Sequence, residues 1–151
     1  MSLKRGSEWR KWDLHVHTPY SYLNNQFGND FDNYVKQLFL NAILHQITVI
    51  GITDYFSIDG YKKIRNEYLN NDTKLKSLFT DEQINQIKRI KMFPNIEFRL
   101  NKIIGTNRVN FHVIFSDEVL IEDIEENFLH ELEFIYEGNP QNSDEKWKLK
   151  K

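Results

Sequence analysis

His15 and His17 are one residue apart in the segment Trp12-Asp-Leu-His-Val-His17. The alternating character of that segment predicts a β-strand, and side chains two apart on a strand leave the same face. Two imidazoles on one face can grip a single metal ion through neutral ring nitrogens, as in zinc and iron sites. By itself a His-x-His pair says little, because most histidines are exposed or satisfied by hydrogen bonds. Three further residues add weight. Asp54 follows the apolar run Ile47 to Thr53, Glu97 lies in a strand after Pro94, and His112 lies in Asn110-Phe-His-Val-Ile-Phe115. A carboxylate or imidazole inside a buried type of strand is costly unless it is paired or coordinated. One such residue is commonly a hydrogen-bonded core polar group. One in every predicted strand implies convergence on a shared site, provided that the strands are parallel neighbours.

The elements that must position these side chains alternate along the chain. The strand Trp12 to His17 is followed by a polar loop, Thr18 to Asn29. Asp30 caps a predicted helix through about His45, with Tyr34, Val35, Leu38, Phe39, Ala42 and Ile43 on one face. Ile47 to Thr53 reads as a strand covered on both sides. A helix is predicted from Asp59 to about Leu69, then a break at Asn70-Asn-Asp-Thr73, then a short helix from Asp81 to Ile90. Met92 to Leu100 holds a strand, Gly105 to Arg108 a turn, Val109 to Phe115 a strand, and Glu122 to Phe134 a helix ended by Gly138-Asn-Pro140. Repeated β-then-α units predict an α/β fold of mostly parallel strands with helices outside, and in such folds the chemistry gathers at the carboxyl ends of the strands.

Composition removes several classes of function. With no cysteine, the chain has no disulfide, thiolate metal site or cysteine nucleophile. No Gly-rich phosphate loop and no Gly-x-Ser-x-Gly elbow occurs, which lowers nucleotide-cofactor and serine-hydrolase readings. No stretch approaches the roughly 20 apolar residues of a membrane span, and the first residues lack the apolar core of a signal peptide, so a cytoplasmic protein without a membrane partner is expected. A net charge of −2 gives no general drive toward nucleic acid. The basic start, the basic Lys88-Arg89-Ile-Lys91 segment and the acidic segment Asp117 to Glu137 read as solvated faces. His45 and His130 read as helix-end and surface residues, and Trp9 and Trp12 as core or domain-contact anchors. Tyr20, Tyr22 and Phe27 are loop aromatics that could stack on a base but more commonly pack the loop. Arg99, two residues after Glu97 on the same face, could hold a substrate phosphate by a bidentate contact.

The run Trp12-Asp-Leu-His-Val-His-Thr-Pro-Tyr-Ser21 resembles the first motif of the PHP (polymerase and histidinol phosphatase) superfamily. Gly51-Ile-Thr-Asp54 resembles its second motif, Asn95-Ile-Glu97 its third, and Phe111-His-Val-Ile114 the histidine motif of the family that comes next. The resemblance covers roughly residues 9 to 118. The wording of Glu8 to His15 and of Asn95 to Leu100 looks most like PHP domains at the start of large bacterial proteins with an ATPase region downstream. It implies a distorted, TIM-like β/α barrel holding two or three divalent ions, zinc, manganese or iron, and hydrolysing phosphoesters, with those of nucleic acid or nucleotides as the expected substrates. By resemblance His15, His17 and Glu97 hold the first ion, and Glu97 and His112 share the second.

The chain departs from that pattern in two places. Tyr55 stands where the family's second motif has a histidine for a third ion, so a two-ion site is expected, with Asp54 as a ligand or as the residue that orients a ligating histidine. Nothing after His112 resembles the family's later ligands. Residues 1–151 are therefore expected to be one domain, the N-terminal part of a PHP barrel, with the remaining barrel and any ATPase region outside this chain. A partial barrel leaves a strand edge open to a second copy, which implies a possible homodimer. The expected activity is that of a metal-dependent phosphoesterase in a longer protein. A non-catalytic PHP-fold scaffold or regulatory module is the alternative, and a plain α/β interaction domain with incidental histidines a third.

Overall fold

Three parallel strands carry the sheet: β1 (Lys11–Val16), β2 (Ile47–Tyr55) and β3 (Lys91–Ile104), with β2 in the middle. A fourth strand, β4 (Asn107–Ile114), lies antiparallel to β3. The computed structural model describes residues 9–22, 26–104, 107–132, 134–135 and 148–149, with side chains through residue 99 and again over 109–132. The fold is mixed α/β, with a curled sheet.

Helix α1 (Phe31–Leu44) begins at Asp30, whose side chain accepts the Asn33 N–H at 3.0 Å. Its buried residues Phe31, Tyr34, Val35, Phe39 and Ala42 fall at helical spacing and face the sheet. They join Ile50, Ile52, Ile96 and Phe98 in one core with Tyr61, Ile64, Tyr68, Leu75, Ile84 and Ile87. The last six come from α2 (Asp59–Lys63), its one-turn π-helical extension Ile64–Leu69, α3 (Asp72–Leu78) and α4 (Asp81–Ile87). Even-numbered residues of β2 and β3 thus pack under helices. Odd-numbered residues Thr53, Tyr55, Asn95 and Glu97 occupy the opposite face, and they too are buried.

The structure departs from the sequence-based expectation at four places. Strands β3 and β4 form a hairpin in place of a parallel pair, because only residues around Gly105 separate them and a parallel crossover needs a dozen or more. Helix α3 begins where the sequence reads as a break, since the Asn71 side chain caps it by accepting the Lys74 N–H at 3.0 Å. The helix expected through Phe134 is shorter: α5 (Ile121–Ile124) passes into a π-turn, Glu125–Leu129, and Phe134–Ile135 pairs as β5 with β6 (Lys148–Leu149). Trp9 and Trp12 are exposed rather than anchoring a core, for they lie before and at the start of the edge strand β1. The Gly138-Asn-Pro140 stop lies outside the described residues. Among the described residues no helix is long and apolar enough to cross a membrane.

The approach of β1 to β2 sets the position of the histidines. Registers Lys11↔Ile47, Asp13↔Ile50 and Val16↔Ile52 are irregular, and at the irregularity the Leu14 backbone passes directly over Gly51. A Cβ at Gly51 would stand 2.6 Å from the Leu14 carbonyl oxygen and 2.9 Å from its carbonyl carbon. The obstacle is backbone and cannot rotate away. Gly51→Ala is therefore expected to destabilise the chain by at least about 1–3 kcal/mol, the usual cost of overpacking, and to displace His15. Urea unfolding of the two proteins measures this, and an unchanged midpoint would contradict the close approach.

Candidate metal centre

Strand pairing brings the sequence-predicted ligands together. Glu97 lies opposite His112 in the β3–β4 register and opposite Tyr55 in the β2–β3 register. His15 lies near the end of β1, and His17 just past it. His15 Nε2 is 3.2 Å from Glu97 Oε2 and 3.2 Å from His17 Nε2, and His17 Nε2 is 3.5 Å from Glu97 Oε2. His112 Nε2 approaches the other carboxylate oxygen, Oε1, at 3.9 Å. His15, Glu97 and His112 each offer a ligand atom within 4.8 Å of the other two. Glu97 is fully buried, His15 is about half exposed, and His17 and His112 lie between.

These distances can be set against those an ion demands. Ligands about 2.0–2.1 Å from a tetrahedral ion are separated by about 3.3–3.4 Å along each edge. The three atoms His15 Nε2, His17 Nε2 and Glu97 Oε2 are already spaced like three corners of such a tetrahedron. Two imidazoles and a carboxylate are also a donor set suited to zinc, manganese or iron. Burial lowers the His17 pKa, although the Glu97 charge works to raise it, and a neutral imidazole is the form that ligates.

Several neighbours hold this cluster, and some of them were not anticipated from sequence. The Asn110 amide donates to Glu97 Oε1 from β4. Tyr55 stacks on the His17 ring at 5.1 Å and 14°, and its hydroxyl is hydrogen-bonded to both Glu97 and Arg99. Burial, before any charge, raises the Tyr55 pKa. The Arg99 guanidinium lies over the Tyr55 ring, 5.2 Å from its centroid, so Arg99 reaches the rim of the cluster through Tyr55. Asn110 could have been noticed by period-2 spacing, being two residues before His112 on the same strand. Ser21 is 3.2 Å from His17 Nδ1, and the sequence marks it only by the tight turn around Pro19.

Asp54 is not part of the cluster. It pairs in register with Ile96, so its side chain leaves the helix-covered face of the sheet, opposite to Glu97. Its Oδ1 accepts the Thr18 N–H at 2.9 Å and its Oδ2 accepts the Thr18 hydroxyl at 2.8 Å, with a further bond from the Gly60 N–H at the start of α2. A Cβ on Gly60 would stand 2.2 Å from both Asp54 Oδ2 and Thr18 Oγ1, so only glycine admits this contact. Asp54 touches no histidine. It fixes Thr18, the residue after His17.

His45 caps the end of α1 and His130 is exposed, both apart from the cluster. Tyr20, Tyr22 and Phe27 are roughly half exposed, with Tyr20 against Phe31 and Phe27 against Tyr34. Compared with protein-family models, with curated proteins and with solved structures, the chain matches none.

Burial pushes the Asp54 carboxyl up to about 6, against the hydrogen bonds from Thr18 and Gly60 that favour its ionised form. A carboxyl with a raised folded-state pKa holds its proton more tightly in the native state. Its stabilising contribution is full below about pH 4 and is lost as the pH rises through about 6. Relative to Asp54→Asn, the wild-type chain is expected to lose on the order of 2–3 kcal/mol across that window. Urea melts of both proteins from acid to neutral pH measure the difference, and a pH-independent gap would contradict this account.

Proposed function

We propose that the chain carries the metal centre of a PHP-type phosphoesterase, a domain that hydrolyses nucleic-acid or nucleotide phosphoesters within a longer protein. In this reading the curled sheet belongs to a distorted β/α barrel. The observation that carries the proposal is the spacing of His15 Nε2, His17 Nε2 and Glu97 Oε2 at 3.2, 3.2 and 3.5 Å, the edges of a coordination polyhedron assembled from separate stretches of chain. Glu97 turns its second oxygen toward His112, as a carboxylate shared between two ions would.

Two divalent ions held there would clamp a phosphoryl group and make a bound water acidic enough to attack near neutral pH. The protein's own part is positional. His15, His17 and His112 would supply nitrogen donors, and Glu97 would supply its carboxylate oxygens. Tyr55 and Asn110 hold the rotamer of Glu97. Arg99, at the rim, would donate to a non-bridging phosphate oxygen and balance charge that builds up during attack. Exposure of His15 leaves the cluster open to solvent on that side, where a cleft of about 430 Å³ is lined by Asp13, His15, Val16, His17, Gln26 and Phe27.

Tyr55 favours a second reading, in which the fold is kept as a non-catalytic scaffold. Its ring fills the space beside His17 where the resembled family has a further ligand.

The wild-type chain is expected to bind Zn²⁺ or Mn²⁺ stoichiometrically in equilibrium dialysis with elemental analysis. His15→Ala and Glu97→Ala should each reduce affinity by at least about 100-fold, more than loss of a residue that merely orients a ligand. Hydrolysis of bis(p-nitrophenyl) phosphate by the full-length protein should fall in parallel. Unchanged metal content in both variants would reject the metal centre. Metal binding without hydrolysis of any phosphoester in a broad screen would select the scaffold reading.

A further inference from the structure

Lys88, Arg89 and Lys91 read in the sequence as a solvated basic run, yet two of them line a cleft together with a third cation, Arg65. The cleft lies at the amino end of β3, holds about 260 Å³, and has Tyr61 and Met92, both almost fully buried, among its apolar lining. Asp117, in the loop after β4, is the one carboxylate among the residues that line it. Glu97 comes six residues after Lys91 on β3, roughly 20 Å along a strand. The cleft is therefore well apart from the histidine cluster.

The turn that carries Arg65 is of an uncommon kind. Ile64–Leu69 is π-helical, and the Asn70 N–H donates five residues back to the Arg65 carbonyl at 3.0 Å. Single π-turns are rare and gather at functional sites. This one brings Asn70 into the same lining as Tyr61 and Arg65. Arg65 Nη1 donates to the Tyr61 hydroxyl at 2.8 Å and to the Asp117 carbonyl at 3.1 Å, and the guanidinium lies 5.9 Å from the Tyr61 ring centroid. These partners fix the guanidinium, and all of them are uncharged. Among the described residues no carboxylate forms an ion pair with it. The Asp117 carboxylate goes instead to Lys91, at 2.5 Å. Lys88 pairs at 2.9 Å with Asp72, which is outside the lining, and both side chains are more than half exposed, so solvent screens that pair.

The lining thus holds an ion pair that cancels itself, a lysine whose counter-charge is weakly held, and a guanidinium with none. The guanidinium has five N–H donors in a planar fork, and among the described residues only those on Nη1 are taken. A matching ligand offers at least two oxygens to the fork and about two negative charges to the pair of cations. A phosphate monoester does both, with a charge of about −1.5 to −2 at neutral pH. A carboxylate or a phosphodiester carries only one charge. At about 260 Å³ the cleft falls just below the roughly 300–1,000 Å³ of pockets for drug-sized ligands, a size that suits the phosphorylated end of a small molecule. We propose that this cleft binds a terminal phosphate monoester, with Arg65 as the fork and Lys88 as the second charge. The site does not depend on the metal-centre reading, and a chain that holds no metal would still bind phosphate here.

Titration of the ¹⁵N-labelled chain with inorganic phosphate at pH 7.5, with ionic strength held constant by chloride, tests the site by position as well as by affinity. The amides of Asn70, Lys91 and Asp117 are expected to shift saturably, with an apparent Kd of about 1 mM or below. Arg65→Gln should weaken that binding by at least about 10-fold. Lys88→Gln, at an exposed position that the fold does not need, should weaken it by about 3–10-fold, and Lys88→Arg should restore it. Dimethyl phosphate, a singly charged diester, should bind at least about 10-fold more weakly than phosphate. No saturable shift of the cleft amides would overturn the proposal, and so would an affinity unchanged in Lys88→Gln, even if Arg65→Gln does not fold. Equal binding of dimethyl phosphate, or tighter binding at these amides of an oligothymidylate without a terminal phosphate, would overturn the assignment to a monoester.

Discussion

A carboxylate with no exposure to solvent organises the polar face of this sheet. Glu97 projects from the middle of β3, and an ionised group in that position is tolerated only if its oxygens are matched by donors or cations. The surroundings supply donors of three kinds. The Asn110 amide and the Tyr55 hydroxyl take part of the carboxylate, and three imidazoles gather around the remainder. The guanidinium of Arg99 meets Glu97 by way of Tyr55. A site built in this way has acceptor capacity aimed inward and ring nitrogens able to turn lone pairs toward the same point. A divalent cation would satisfy all of them at once, which is what the proposed metal centre asks of this face.

Bringing histidines to that carboxylate requires the edge strand to lie unusually close to its neighbour. The Leu14 carbonyl receives the Asn95 amide at 2.8 Å and the Thr53 hydroxyl at 2.9 Å, while the Asn95 amide also meets Thr53 Oγ1 at 2.8 Å. This small network lies on the same face as Glu97, one alternation closer to the start of β3. It draws the backbone of β1 across Gly51, where a side chain would collide, and so sets His15 over Glu97 rather than beside it. Packing on the helix-covered face fixes the sheet, whereas a few buried polar contacts fix the offset of one strand within it.

Residue type and period make part of this arrangement legible in the sequence. The His-x-His spacing, the carboxylate in a buried strand and the later imidazole can be read because each breaks an apolar pattern, and their convergence needs only the assumption that the strands are neighbours. The cap at Asp30 and the face of α1 are legible for the same reason. Direction is less so: an assumption of parallel neighbours misreads β4, although the short link through Gly105 already implies a hairpin. Helix α3 escapes the sequence pattern because Asn71 has the residue type of a terminator and the position of a cap. Asn110 and Ser21 are ordinary polar residues whose importance lies in the atom they face, and no pattern of types encodes that.

The two acidic side chains show how burial can serve opposite ends. Asp54 and Glu97 leave opposite faces of adjacent strands at nearly the same level, and both are almost fully buried. Asp54 is satisfied by donors that cannot leave: two main-chain N–H groups and a hydroxyl held by the same turn. Exchanging any of them for an ion would break the connection between β1, β2 and α2. Glu97 is satisfied mainly by side chains, whose rotamers can shift to admit a guest at far smaller cost. One carboxylate is therefore spent on structure and the other remains available for chemistry, although composition and predicted burial treat them alike. The distinction lies in whether the donors belong to the backbone: Asp54 is held by main-chain N–H groups and fixes the residue after His17, whereas Glu97 is met by side chains and lies within the proposed metal centre.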